Sequence, residues 1–256
     1  MRQPMYVTID LDDTLIHSQQ DYDRAIERLS EWIASQTDTD ENEVETRLNE
    51  IDRENLNEYG LSRERFLRSF EETAYEFLDS PSSDDLRHAR ELGDTAFLSA
   101  EEYGDRGFKP KAKEMLHRLE ELGATLHLIT SGDTEIQKRK IVGLDIDQYF
   151  DEISIVGMGG KTEVLKNIAA THGFESVFHV GNSLSSDVES AIEAGITAIY
   201  IPDSEWQRTS DEVPEVASRD DVYLYDDISD FIASFDEVFS SNKPSVHSDS
   251  ETEAWN

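Results

Sequence analysis

Three carboxylates, one amide, one hydroxyl and one ammonium stand at the ends of segments with strand character. Asp10 and Asp12 follow the run Met5-Tyr-Val-Thr-Ile9, and Thr130 and Ser131 follow the strand-like stretch 125–129. Asn182 and then Asp187 come after 176–180, and Lys161 opens a helical stretch after 152–156. Carboxylate and amide oxygens of this kind suit Mg²⁺, a hard ion that takes oxygen ligands and keeps some of its waters. The Lys ammonium and the Thr hydroxyl suit the oxygens of a phosphate. Each residue alone has a plainer reading, since an Asp at a strand end is more often a cap or turn former. A Thr there is usually structural, and a Lys at a helix start is usually solvated. Together, in order and each at a strand end, they point to a single crevice.

Such a crevice requires a particular scaffold. Ligands bind outside the carboxyl ends of the strands in an open parallel sheet. After Gly107 the chain alternates between helix and strand, with helices at 111–122, 135–141, 161–171, 187–194 and 228–239. The intervening strands are 125–129, 152–156, 176–180, 197–201 and 222–225. That alternation predicts an α/β fold, a Rossmann-like parallel sheet with helices on both faces. Between the first strand and this region the apolar residues take helical spacing. Ile26, Leu29, Trp32 and Ile33 form one set, and Val44, Leu48 and Ile51 a second; Phe66, Phe70 and Phe77 form a third, and Leu86, Leu92 and Phe97 a fourth. An inserted four-helix unit is expected, with connectors near 37–41 and 79–83. The domain expectation is a discontinuous core of residues 1–16 and 105–239, a helical unit of 17–104, and a disordered acidic tail of 240–256.

Composition narrows the functional classes. The 256 residues contain no cysteine, which excludes disulfides, thiolate metal sites and cysteine nucleophiles. Asp plus Glu number 57 against 23 Lys plus Arg, for a net charge of −34. A field of that sign repels phosphate backbones and argues against nucleic-acid partners. No apolar run approaches the length of a membrane span, and the N-terminus lacks a signal-peptide pattern; a cytoplasmic location is expected. With 37% hydrophobic residues the chain has a core to bury, so the charge belongs on a folded surface. Arg outnumbers Lys, 15 to 8, and the acidic surface resembles that of proteins from extreme halophiles. Molar salt, with a Debye length of about 3 Å, would screen its self-repulsion.

Asp10-Leu-Asp-Asp-Thr14, Thr130-Ser-Gly132, Gly160-Lys161 and Gly181-Asn-Ser-Leu-Ser-Ser-Asp187 resemble the four motifs of the haloacid dehalogenase (HAD) superfamily. The helical insertion after the first motif is similar to that family's C1-type cap. The resemblance implies that Asp10 is a nucleophile taking a phosphoryl group as an aspartyl-phosphate. It implies that Asp12 is the general acid and then the base, and that Thr130 and the Ser131 N–H hold phosphate oxygens. Lys161 would offset negative charge, and Mg²⁺ would bind Asp10, the Asp12 carbonyl and Asp187, with Asn182 coordinating or orienting a metal-bound water. Two departures stand out. Asn182 replaces the family's usual Asp, which predicts weaker Mg²⁺ binding. Asp13 replaces a common Gly, at a turn whose geometry Asp tolerates.

The resemblance also orders the possible reactions. Dehalogenases of the family lack the second carboxylate of the first motif, whereas Asp12 is present. Phosphonate hydrolysis uses a cap lysine, and residues 18–103 contain none. A phosphatase acting on a small phosphorylated metabolite is the implied activity, as a monomer or homodimer. A sugar phosphomutase and a non-catalytic binding protein are the alternatives. Arg63 and Arg65 read first as a solvated face and second as cap contacts to substrate. Tyr22 and His17 are candidates at the hinge. Lys109, Lys111 and Lys113 form a basic cluster explained equally by anion attraction or a solvated helix start. The seven histidines show no metal-ligand spacing.

Overall fold

The computed structural model describes residues 5–204, 207–208 and 213–240, so the expected tail lies beyond the described residues apart from its first position. The strand β1 (Met5–Ile9) buries Val7, Thr8 and Ile9 completely, so both of its faces are covered, as a parallel sheet between helical layers requires. Thr8 offsets the cost of burial by donating its hydroxyl to the Phe178 carbonyl at 3.0 Å. β1 is flanked by β2 (Ala124–Ser131) and β4 (Val177–Gly181). With β3 (Glu152–Val156), β5 (Thr197–Tyr200) and β6 (Val222–Leu224) they form an all-parallel sheet ordered β3-β2-β1-β4-β5-β6. The chain winds outward in both directions from β1. The crevice of the sheet therefore opens where the loops after β1, β2 and β4 leave their strands.

One apolar layer packs Met115, Leu116 and Leu119 of α6 (Ala112–Glu121) with Phe231 and Phe235 against the sheet. The other layer packs Leu165 and Ala169 of α8 (Gly160–His172) with Ala191 and Ala194 of α9 (Glu189–Ala194). Between β1 and this region lie α1 (Gln19–Ala34), α2 (Glu41–Tyr59), α3 (Arg63–Phe77) and α4 (Ser83–Asp94). They share an apolar cluster of their own, with Leu29, Ile33, Leu48 and Phe70 buried at its centre. Their starts follow the expected chemistry. The side chains of Asp40, Ser62 and Ser82 accept backbone N–H bonds at the first turns of α2, α3 and α4.

Several elements differ from expectation for local reasons. A further helix, α5 (Ala100–Arg106), follows the four, with a capping box between Ser99 and Glu102. Phe97 lies in the turn after α4 instead of on it. The last helix breaks into Ile228–Ala233 and Phe235–Ser240 at Ser234, whose hydroxyl bonds back to the Asp230 carbonyl at 3.0 Å. The helix expected from 187 begins earlier, as a π-turn over Leu184–Val188 that leads into α9. Among the described residues no helix is long and apolar enough to cross a membrane.

Candidate active site

The loop after β1 turns sharply because Asp13 adopts φ 58°, the left-handed conformation that Asp tolerates. Its carboxylate accepts the N–H groups of Ser18 (2.8 Å) and Gln19 (3.0 Å), which ties this loop to the start of α1. Asp10 points into a buried node. Lys161, in the first turn of α8, places its Nζ 2.5 Å from Asp10 Oδ1 and 2.5 Å from Asp187 Oδ1. Thr14 Oγ1 joins Asp10 Oδ2 (3.1 Å) to Asn182 Oδ1 (3.2 Å). Asp187 reaches the node because the π-turn aims it back at Gly181, where any Cβ would collide with its carboxyl group. The Ser183 N–H (2.9 Å) and His179 Nε2 (3.2 Å) contact the same carboxylate. Burial pushes the Asp10 carboxyl above the usual carboxylate range, against the pull of the Lys161 ammonium. Asp187 is equally buried, but Lys161 and His179 hold its carboxyl well below that range.

Asp12 faces the other way. Its carboxylate accepts hydrogen bonds from Ser18 Oγ, from Gln137 Nε2 at 2.7 Å and from Lys140 Nζ at 2.6 Å. Burial alone would raise Asp12; the Lys140 ammonium and these three donors outweigh it and hold the carboxyl low. Ser18, Gln137 and Lys140 were not candidates from the sequence. Gln137 and Lys140 lie three residues apart on α7 (Thr134–Gly143), so they share one helix face. Both are buried on a helix whose neighbouring Lys138 and Arg139 are exposed. That spacing of polar residues along a core-facing stripe was the available signal.

Between the sheet and the helical insertion lies a cavity of about 90 Å³ that contains Asp12 and Ser131 in its wall. Tyr22, Arg63, Arg65 and Phe97 line it from the insertion, which corrects the reading of the two arginines as an ordinary solvated face. Thr130, fully buried at the end of β2, has a hydroxyl without a hydrogen-bond partner among the described residues. Other candidates fall away from the cavity. Lys109 pairs with Asp203 and donates to the Asp13 carbonyl at 2.6 Å, Lys111 pairs with Glu114 at 2.7 Å, and Lys113 lies over the Phe108 ring. His17 is not part of the cavity wall; its carbonyl accepts a bond from Arg106 at 3.1 Å.

The node's donor set fits Mg²⁺. Two carboxylates, Asp10 and Asp187, converge on one cationic group, and the Asn182 amide oxygen is linked to them through Thr14. Mg²⁺ is typically held by one or two carboxylates, with waters and substrate oxygens completing its octahedron. Among the described residues no set of three or more His, Cys, Asp or Glu side chains assembles as a metal cluster. Asn182 offers the node a neutral oxygen where an Asp would have added a third acid.

A family model described as haloacid dehalogenase-like hydrolase matches residues 5–195, most of the chain. Glyceraldehyde 3-phosphate phosphatase of Pyrococcus abyssi is 30% identical over 97 residues, which are 36% of this chain and 41% of that protein. The chain thus matches less than half the length of this curated relative. A haloacid dehalogenase-like hydrolase from Xanthomonas campestris has the same fold, with a TM-score of 0.74 at 20% identity, covering 94% of this chain and 97% of that one. The HAD hydrolase YfnB of Bacillus subtilis, solved with magnesium bound, aligns with a TM-score of 0.60 at 14% identity, over 93% and 99% of the two chains.

Proposed function

The chain belongs to the haloacid dehalogenase-like hydrolases and is a hydrolase, and from that premise we propose that it is a Mg²⁺-dependent phosphatase of small phosphomonoesters. The observation that carries the reading is the division of labour within one loop: Asp10 in the buried node beside Lys161, Asp12 in the wall of the cavity. An Asp10 oxygen attacks phosphorus, and the bond from phosphorus to the alcohol oxygen breaks. Asp12 gives that oxygen a proton. It then takes one from a water, which attacks the acyl phosphate and releases inorganic phosphate, restoring Asp10. Asp12 is held ionised, ready for the base half of this cycle. For the acid half it must carry a proton, and an arriving phosphate dianion raises its affinity for one.

Lys161 offsets the charge of the nucleophile and of the transferring group, and Thr130 supplies a free hydroxyl to a phosphate oxygen beside the Ser131 N–H. Asp10, the Asp12 carbonyl, Asp187 and Asn182 would hold Mg²⁺, which when bound neutralises charge on the phosphoryl oxygens. The helical insertion acts as a cap that excludes water and selects the leaving group. Its cavity of about 90 Å³ lies well under the roughly 300 Å³ at which pockets for drug-sized ligands begin, which favours a leaving group of a few carbons. The acidic, Arg-over-Lys composition makes a salt-adapted cytoplasmic enzyme part of the same proposal.

The test is hydrolysis of p-nitrophenyl phosphate in molar KCl, with and without Mg²⁺, for wild type and Asp10→Asn. Turnover that needs Mg²⁺ and vanishes in Asp10→Asn is expected. A wild type that is folded by circular dichroism yet releases no phosphate from this ester or from a panel of phosphomonoesters would sink the proposal.

A further inference from the structure

The charged groups around the cavity are unevenly satisfied. Asp12 is held by Lys140, Gln137 and Ser18. Asp133 accepts the backbone N–H groups of Glu135 (3.0 Å), Ile136 (3.3 Å) and Arg63 (3.1 Å). Arg63 is closed off by Asp94, which takes its Nε at 2.7 Å and its Nη2 at 2.6 Å. Arg65 differs from all of these. A guanidinium offers five N–H donors, yet among the described residues the side chain of Arg65 has one polar contact, Nη1 to Asp52 Oδ2 at 3.4 Å. Its Nε is buried and has no hydrogen-bond partner among the described residues. Asp52 is itself engaged, accepting the Ser69 hydroxyl at 2.9 Å. Among the described residues the cavity thus contains one under-used cation, carried by the helical insertion and sharing the cavity wall with Asp12, where the leaving alcohol of a phosphoester would emerge.

We propose that the cavity selects phosphomonoesters whose alcohol carries a carboxylate, with Arg65 as the specificity-determining group that binds it. The planar fork of a guanidinium matches a carboxylate in a bidentate geometry that an ammonium cannot reproduce. The small cavity favours a carboxylate over a second, bulkier phosphate. Tyr22, Phe97 and Ile136 supply the apolar wall for a short carbon chain between the two anionic ends. The ester binds across the cavity, phosphate towards Asp10 and carboxylate towards α3. The proposal rests on the phosphatase reading, but its binding half can be tested separately.

The experiment compares 2-phosphoglycolate with 2-hydroxyethyl phosphate, esters matched in length that differ in the carboxylate. Wild type, Arg65→Gln and Arg65→Lys are assayed in KCl at a concentration that keeps each folded by circular dichroism. The wild type is expected to favour phosphoglycolate at least tenfold in kcat/KM. Arg65→Gln should collapse that preference, mainly through KM, and Arg65→Lys should recover part of it. Equal rates on both esters in the wild type would overturn the proposal, as would an Arg65→Gln variant that slows both esters equally and keeps the ratio. If no ester is hydrolysed, the phosphatase reading has failed, and the rise in Tm on adding each ester decides binding. A rise with phosphoglycolate alone, lost in Arg65→Gln, supports the carboxylate site; equal or absent shifts overturn it.

Discussion

Lys140 keeps its side chain at 2% exposure because Asp12 stands 2.6 Å from the ammonium, while the ring of Tyr103 lies 5.8 Å from the same nitrogen. Breaking a buried pair from one side strands a charge and typically costs about 3–5 kcal/mol. Asp12→Ala should therefore unfold at markedly lower denaturant, and the double variant Asp12→Ala/Lys140→Met should recover much of the loss. A double variant no more stable than Asp12→Ala would mean that the pair is not the source of the cost. Catalysis should respond differently. Lys140→Met should lower kcat by about a hundredfold, within the range of acid–base contributions, with the far-ultraviolet circular dichroism unchanged. The motif residues were legible in the sequence because each follows a strand in a fixed order. Gln137 and Lys140 were not, since they sit mid-helix in the run Gln137-Lys-Arg-Lys140, where composition alone suggests a solvated surface. What buries them is the tertiary approach of α7 to the loop after β1.

At the scale of elements, one carboxylate joins two units. Asp133 caps α7 and also accepts the N–H of Arg63 at the first turn of α3, linking the sheet region to the helical insertion. Losing a helix cap typically costs about 0.5–2 kcal/mol, so Asp133→Ala should lower stability by that amount in chemical denaturation. If this link also sets the cavity's shape, the variant should raise KM more than it lowers kcat. The turn at Gly181 is more stringent. Gly181→Ala drives a methyl group into the Asp187 carboxyl and should abolish Mg²⁺-dependent turnover. A pH effect belongs to β2. His127 is buried, its Nε2 lies 2.8 Å from Ser154 Oγ, and burial lowers its affinity for a proton despite Glu152 nearby. Below about pH 6.5 the unfolded chain takes up a proton there more readily than the folded one, so this residue's stabilisation is lost as pH falls. His127→Gln should flatten the stability profile in that window; an unchanged slope would count against it. Strand positions and most helix spans were legible from periodicity. The break at Ser234 and the π-turn before α9 were not, because both depend on backbone hydrogen bonding that apolar spacing does not encode.

Over the whole molecule the dominant physical fact is a net charge of −34. Surface carboxylates repel one another in dilute buffer, and molar salt reduces that repulsion to contacts within about 3 Å. Tm should rise steeply between low salt and molar KCl, followed by circular dichroism; a flat dependence would refute adaptation to salt. The fold as a whole was legible because strand–helix alternation after Gly107 leaves few alternatives to a parallel sheet. The cavity between sheet and insertion was not, because its walls come from five separate stretches of chain and no local pattern marks their meeting.

The central claim is that Asp10 becomes phosphorylated, and the most direct measurement is the mass of the peptide containing it. p-Nitrophenolate leaves without needing a proton, so Asp12→Asn should still form the phosphoenzyme from p-nitrophenyl phosphate but be slow to hydrolyse it. After an acid quench with Mg²⁺ present, the account predicts that the Asp10 peptide gains the mass of one phosphoryl group in Asp12→Asn, and that Asp10→Asn gains none. Turnover by the wild type with no phosphoryl group trapped in Asp12→Asn, or with the label on another residue, would contradict it.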